Sequence, residues 1–158
     1  MPIYVDADAC PVKEEVYRVA RRHVVKVFIV SNASMRVPNE DLIEMVVVKG
    51  GFDSADDWIV ERIGSGDLAI TTDIPLADRC LRKGAKVLGP KGHFFTEDDI
   101  GEALATRALH DMLRQGGEFN GGPAPFAKTD RSRFLAKLDE ALHTIRREAQ
   151  SKSRRENP

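Results

Sequence analysis

The sequence predicts an α/β protein, a three-layer α/β/α sandwich around a mostly parallel central sheet, with helices added at the C-terminal end. Three observations predict it. Short apolar, largely β-branched runs recur through the first 90 residues, and stretches with helical spacing separate most of them. The runs are continuous rather than alternating, as in strands covered on both faces. Successive strand, helix, strand units of this kind build parallel sheets through right-handed crossovers.

The first element is the stretch IYVDADACPV, Ile3 to Val12, in which an apolar strand runs straight into Asp6 and Asp8. Pro11 then opens a helix to His23, a residue suited to the first helical turn. Val24 to Val30 (VVKVFIV) is the second strand, leaving through the small polar run Ser31, Asn32, Ala33 and Ser34. Met45 to Val48 is the third, ended by the turn Lys49-Gly50-Gly51. Ser54 is then an N-cap, with Asp57 in the capping-box position of a helix over Ala55 to Ile63. Leu68 to Thr71 is the fourth strand, Pro75 starts a helix to Lys83, Gly84 caps it, and Lys86 to Leu88 is the fifth strand.

The core of the sheet is complete by about residue 90. Thr96 caps a helix over Glu97 to Gln115, whose stripe is Ile100, Leu104, Leu109, Met112 and Leu113. A Gly/Pro-rich connector, residues 116–130, is longer than most loops of a compact domain. Phe134, Leu138, Ala141, Leu142 and Ile145 mark a last amphipathic helix. The expected organisation is one domain over residues 1–150 and a disordered tail over 151–158.

At 158 residues the chain has room for one core. No apolar run approaches the roughly 20 residues of a membrane span, and no signal region opens the chain, so the cytoplasm is the expected location. Cys10 and Cys80 form neither a CxxC pair nor a disulfide framework. The net charge of −1 hides an asymmetry: residues 131–158 carry eight Lys/Arg against four Asp/Glu, which leaves −5 on residues 1–130. An acidic body with a basic arm suits a metal pocket beside a polyanion-binding segment, with Arg131, Arg133 and Lys137 as the candidate phosphate contacts.

Asp6 and Asp8 stand at one strand exit, and Asp73, with Asp78 in the helix after it, at another. In open parallel sheets, ligands collect beyond the carboxyl ends of the strands. If the two strands are neighbours, these acids converge, and Asp56 at the start of the intervening helix can join them. Asp8 and Asp73 could equally be helix caps, and Asp57 belongs to its capping box. Ser31, Asn32, Thr71 and Thr72, at the same exits, are the supporting polar groups. Clustered carboxylates without His or Cys are hard donors that select Mg2+ or Mn2+ over zinc. Such an ion can activate water and neutralise charge at a phosphodiester.

Four segments carry a resemblance: VDADACPVK, GGFDSADDWIV, TTDIPLADRCL and GGPAPFAKTDRSRF. Through them nearly the whole chain resembles the bacterial YaiI/YqxD family within the PIN-like nuclease superfamily. Asp6 matches the PIN first-strand aspartate, Asp56 the acid opening a central helix, and Asp73 the acid that follows a threonine. Asp78 stands farther from the third acid than the fourth usually does, and Asp8 replaces a frequent Asn. The resemblance implies a divalent-ion-dependent nuclease site, with single-stranded RNA as the expected partner.

Two rivals differ in class. Asp6 and Asp8, Ser31, and Asp73 with Asp78 also resemble the motifs of haloacid-dehalogenase-like phosphatases, in which Asp6 would be the nucleophile and Asp8 the acid, with Lys49 steadying the charge. That architecture inserts a helical turn and a hairpin flap after the first strand, and Pro11 leaves little room for them. The other rival is a non-catalytic RNA-binding or regulatory protein that relies on its basic residues.

Overall fold

The computed structural model describes residues 1–51, 53–102, 104–106 and 125–156. Five strands, β1 (Ile3–Asp6), β2 (Val27–Ser31), β3 (Ile43–Val47), β4 (Leu68–Ile70) and β5 (Lys86–Leu88), form one sheet in the order β3-β2-β1-β4-β5. Every neighbouring pair is parallel. The chain winds outward from β1 through β2 to β3, then returns to the other side of β1 for β4 and β5. β1 and β4 are therefore the adjacent strands at which the winding reverses, where an α/β sheet opens a crevice.

Side-chain alternation along the strands divides the core in two. On one face Ile3, Val5, Val27, Ile29, Leu68 and Ile70 pack against α1 (Lys13–His23) and the C-terminal helix (Lys128–Glu156). On the other, Tyr4, Val30, Ala69 and Val87 pack against α2 (Ser54–Arg62), α3 (Ile74–Arg82) and Ile100 in the helical stretch 97–102. The three layers agree with the expectation. The C-terminal helix buries the stripe Phe134, Leu138, Ala141, Leu142 and Ile145, as its spacing predicts.

Several boundaries differ. Val24, expected in the second strand, takes φ 55° and closes α1, its N–H bonded to Ala20 O and Arg21 O. The chain must turn from helix to strand within three residues, and a left-handed residue achieves that. Ser54 is the first residue of α2 rather than its cap, and Asp57 pairs with Arg79 at 2.9 Å instead of closing a capping box. A reciprocal box does occur at the helical stretch after α3, where Thr96 N donates to Asp99 and Asp99 N to Thr96 Oγ1, each at 3.2 Å.

Ile100 is buried, but Leu104, from the same predicted stripe, is 46% exposed. Leu109, Met112, Leu113 and most of the connector lie outside the described residues. The C-terminal helix continues to Glu156, through residues expected to be disordered from Ser151. Among the described residues, no helix is long and apolar enough to cross a membrane.

Candidate functional site

The register Val5↔Ile70 leaves Asp6, the last residue of β1, beside Thr71, the first residue past β4. Thr71 is buried, and its Oγ1 donates to Asp6 Oδ2 at 2.7 Å. The same Oγ1 accepts from Asp73 N at 2.9 Å, so one hydroxyl spans both acidic strand exits. Asp73 caps α3, its Oδ1 accepting from Leu76 N at 2.9 Å ahead of Pro75. On the β2 side buried Ser31 donates to Asp8 Oδ1 and accepts from Ala33 N at 3.1 Å. Asp8 itself rides on a single 3-10 turn, Ala7–Ala9, between β1 and α1.

Asp6, Asp8, Asp53, Asp56 and Asp73 line one cleft of about 250 Å³, with Asn32, Thr71, Thr72, Cys10 and Pro90. The convergence of Asp6, Asp8, Asp56 and Asp73 expected from the strand exits is thus the geometry observed. Asp78 is not brought there: it is one helical turn from Arg82 and pairs with it at 3.2 Å. Asp53, the residue before α2, also lines the cleft and is not among the acids singled out from the sequence. Its signal was available, one helical turn ahead of Asp56 where a helix begins.

The electrostatics follow from the crowding. Burial pushes the Asp6 carboxyl above its ordinary value, Thr71 opposes this, and the charges of Asp73 and Asp8 add to it. Asp56 is pushed up to about 6, first by burial and then by Asp6, Asp73 and Asp53, with Arg79 pulling the other way. Like charges held at one spot make a cation the natural counter-charge. Burial also raises the Cys10 thiol, which fits a packing residue better than a nucleophile.

A family model described as "Uncharacterized BCR, YaiI/YqxD family" matches residues 4–144. The chain belongs to the YaiI/YqxD family. It is 58% identical over 146 residues to a UPF0178 protein of Sphingopyxis alaskensis, covering 92% of this chain and 95% of the relative. A UPF0178 protein of Rhodospirillum centenum is 54% identical over 151 residues, covering 93% and 98%. No solved structure matches the chain. The YaiI/YqxD match takes in every acid of the cleft, α1 and most of the C-terminal helix.

The basic residues expected to meet nucleic acid are engaged within the fold. Arg131 pairs with Glu15 at 2.6 Å and donates to Pro11 O at 3.2 Å. Arg133 donates to Lys91 O at 3.1 Å and pairs with Asp130 at 3.2 Å, and Lys137 pairs with Glu140 at 3.2 Å. None of the three lines the cleft. Arg131→Ala is expected to lower stability by roughly 1–3 kcal/mol, because it strips the partner from an acid whose side chain is only 12% exposed. Glu15 already has Oε2 buried without a hydrogen bond. Urea denaturation measures the loss, and an unchanged midpoint would show that the pair does not hold the helix.

Proposed function

We propose that this chain is a Mg2+- or Mn2+-dependent nuclease that hydrolyses phosphodiester bonds, with single-stranded RNA as substrate. Support comes first from one observation: Asp6, Asp56 and Asp73, delivered by two strand exits and one helix start, line a common cleft with raised carboxyl pKa values at Asp6 and Asp56. The donor set of carboxylates and hydroxyls fits a hard divalent ion.

Asp6, Asp56 and Asp73 would hold the ion, with Asp8 and Asp53 at the rim of the same cleft. When bound, such an ion supplies an activated water and offsets charge at the phosphorus. Thr71 fixes Asp6 by donating to Oδ2, and Ser31 fixes Asp8, so neither carboxylate swings freely. The cap bond to Leu76 N holds Asp73 Oδ1 and so fixes this carboxylate at the mouth of α3. A negative backbone could approach these acids only with the cation in place.

The phosphatase alternative draws support from the 3-10 turn Ala7–Ala9, a helical turn that the sequence reading gave no room. α1 follows at Lys13, however, leaving three residues where a hairpin flap would have to be. Single-stranded RNA incubated with the purified chain decides between them. Cleavage in Mn2+ and none in chelator is the expected outcome. A phosphoryl group trapped on Asp6, with RNA intact, would favour the phosphatase and overturn the nuclease. RNA bound but uncut with every divalent ion would leave the non-catalytic rival.

A further inference from the structure

At the opposite, amino-terminal edge of the sheet, His23 ends α1 and lies against Asp139 and His143 of the C-terminal helix. We propose that these three side chains form a second metal site, which takes a borderline ion such as Zn2+ and clamps α1 to the C-terminal helix. The inference stands apart from the nuclease reading and shares no residue with it.

The geometry carries it. One ligand atom from each residue, a nitrogen from either imidazole and an oxygen from the carboxylate, lies within 4.8 Å of the other two. His23 Nε2 is 2.6 Å from Asp139 Oδ1, and His143 Nε2 is 3.5 Å from Asp139 Oδ2. A tetrahedral zinc with bonds of about 2.0–2.1 Å sets its donor atoms roughly 3.3 Å apart. The three donor atoms, already within 4.8 Å of one another, close onto one ion through side-chain movements of roughly 1.5 Å at most. Asp139 and His143 are one helical turn apart and so project from the same face. His23 is buried, and it reaches them from 116 positions away in the sequence.

Two imidazoles and one carboxylate make a borderline donor set, suited to zinc and poorly suited to Mg2+. With three protein ligands, the fourth position falls to water on the exposed side of His143. Arg22 is the competing cation, 3.5 Å from Asp139 Oδ1, but its side chain is 64% exposed and free to turn into solvent. Arg146 donates to the carbonyl of His23 and leaves the ring available. The two sites would sort ions by chemistry: hard ions in the carboxylate cleft, a borderline ion between the helices.

The test is calorimetric titration of the metal-stripped full chain with ZnCl2 in excess MgCl2, for the native chain, His143→Ala and Asp73→Asn. His143 is 61% exposed, so its replacement spares the fold. One Zn2+ per native chain is expected, unchanged in Asp73→Asn and weakened by at least about tenfold in His143→Ala. Zinc should also raise the melting temperature of the native chain and not that of His143→Ala. Absence of zinc uptake, equal uptake in His143→Ala, or uptake lost in Asp73→Asn would each overturn the site.

Discussion

Asp6→Asn and Asp73→Asn are each expected to bring Mn2+-dependent cleavage of RNA to background while leaving the fold intact. Asparagine keeps the shape and one accepting oxygen. The bond from Thr71 to position 6 therefore survives, as does the cap accepted from Leu76 N at position 73. What disappears is charge, and a hard cation depends on charge. The stability of the metal-free chain should move the other way. Burial, with the neighbouring acids adding to it, pushes the Asp56 carboxyl up to about 6 in the folded chain, against an ordinary value of 3.8. Between those values the folded state holds the extra proton, so this group's contribution is complete below about pH 4 and is lost as pH rises through 6. Asp56→Asn should thus melt higher than the native chain at pH 7 in chelator, with the difference closing toward pH 4. Saturating Mn2+ reverses the order by binding the ionised acids of the native chain, worth about 2.7 kcal/mol at a hundred times Kd. Thermal melts across pH, with and without Mn2+, read both effects. An equal Mn2+ gain in the native chain and in Asp56→Asn would remove Asp56 from the metal set.

Much of this cleft was legible in the sequence because its acids sit where strands end, and strand ends are visible where an apolar run stops. Asp6 follows Ile3-Tyr4-Val5 directly, Asp73 follows Leu68-Ala69-Ile70 after Thr71 and Thr72, and parallel order brings the two exits side by side. Asp78 shows the limit. Spacing put it on the first turns of α3, but which way a side chain faces there depends on helix rotation, and Arg82 one turn on offered a nearer partner. The basic residues show a related limit. A run of arginines looks the same in sequence whether it meets phosphate or its own fold, and Glu15, the partner of Arg131, lies 116 positions away. The pairing of His23 with Asp139 was equally hidden.

The C-terminal helix is held by a contact that only glycine permits, and Gly92→Ala is expected to destabilise the chain by about 2–5 kcal/mol. Gly92 takes φ +85°, a conformation that costs an alanine roughly 1–2 kcal/mol. A Cβ there would also lie 2.7 Å from Arg133 C, Arg133 Cγ and Phe134 N, two of which are backbone of the helix. Backbone in a docked helix cannot rotate away as a side-chain tip can, so the helix or the loop must shift, at a further cost of roughly 1–3 kcal/mol for overpacking. The shift would not stay local: Arg133 donates to Lys91 O in that loop, Pro90 before it lines the acidic cleft, and Phe134 is fully buried in the core. Loss of Mn2+ affinity should accompany the loss of stability. Gly101→Ala is the control, since a Cβ at that helical glycine meets nothing within 4 Å and should be neutral or stabilising. Equal unfolding midpoints for the two variants would mean that the loop yields freely and that the helix does not rest on Gly92.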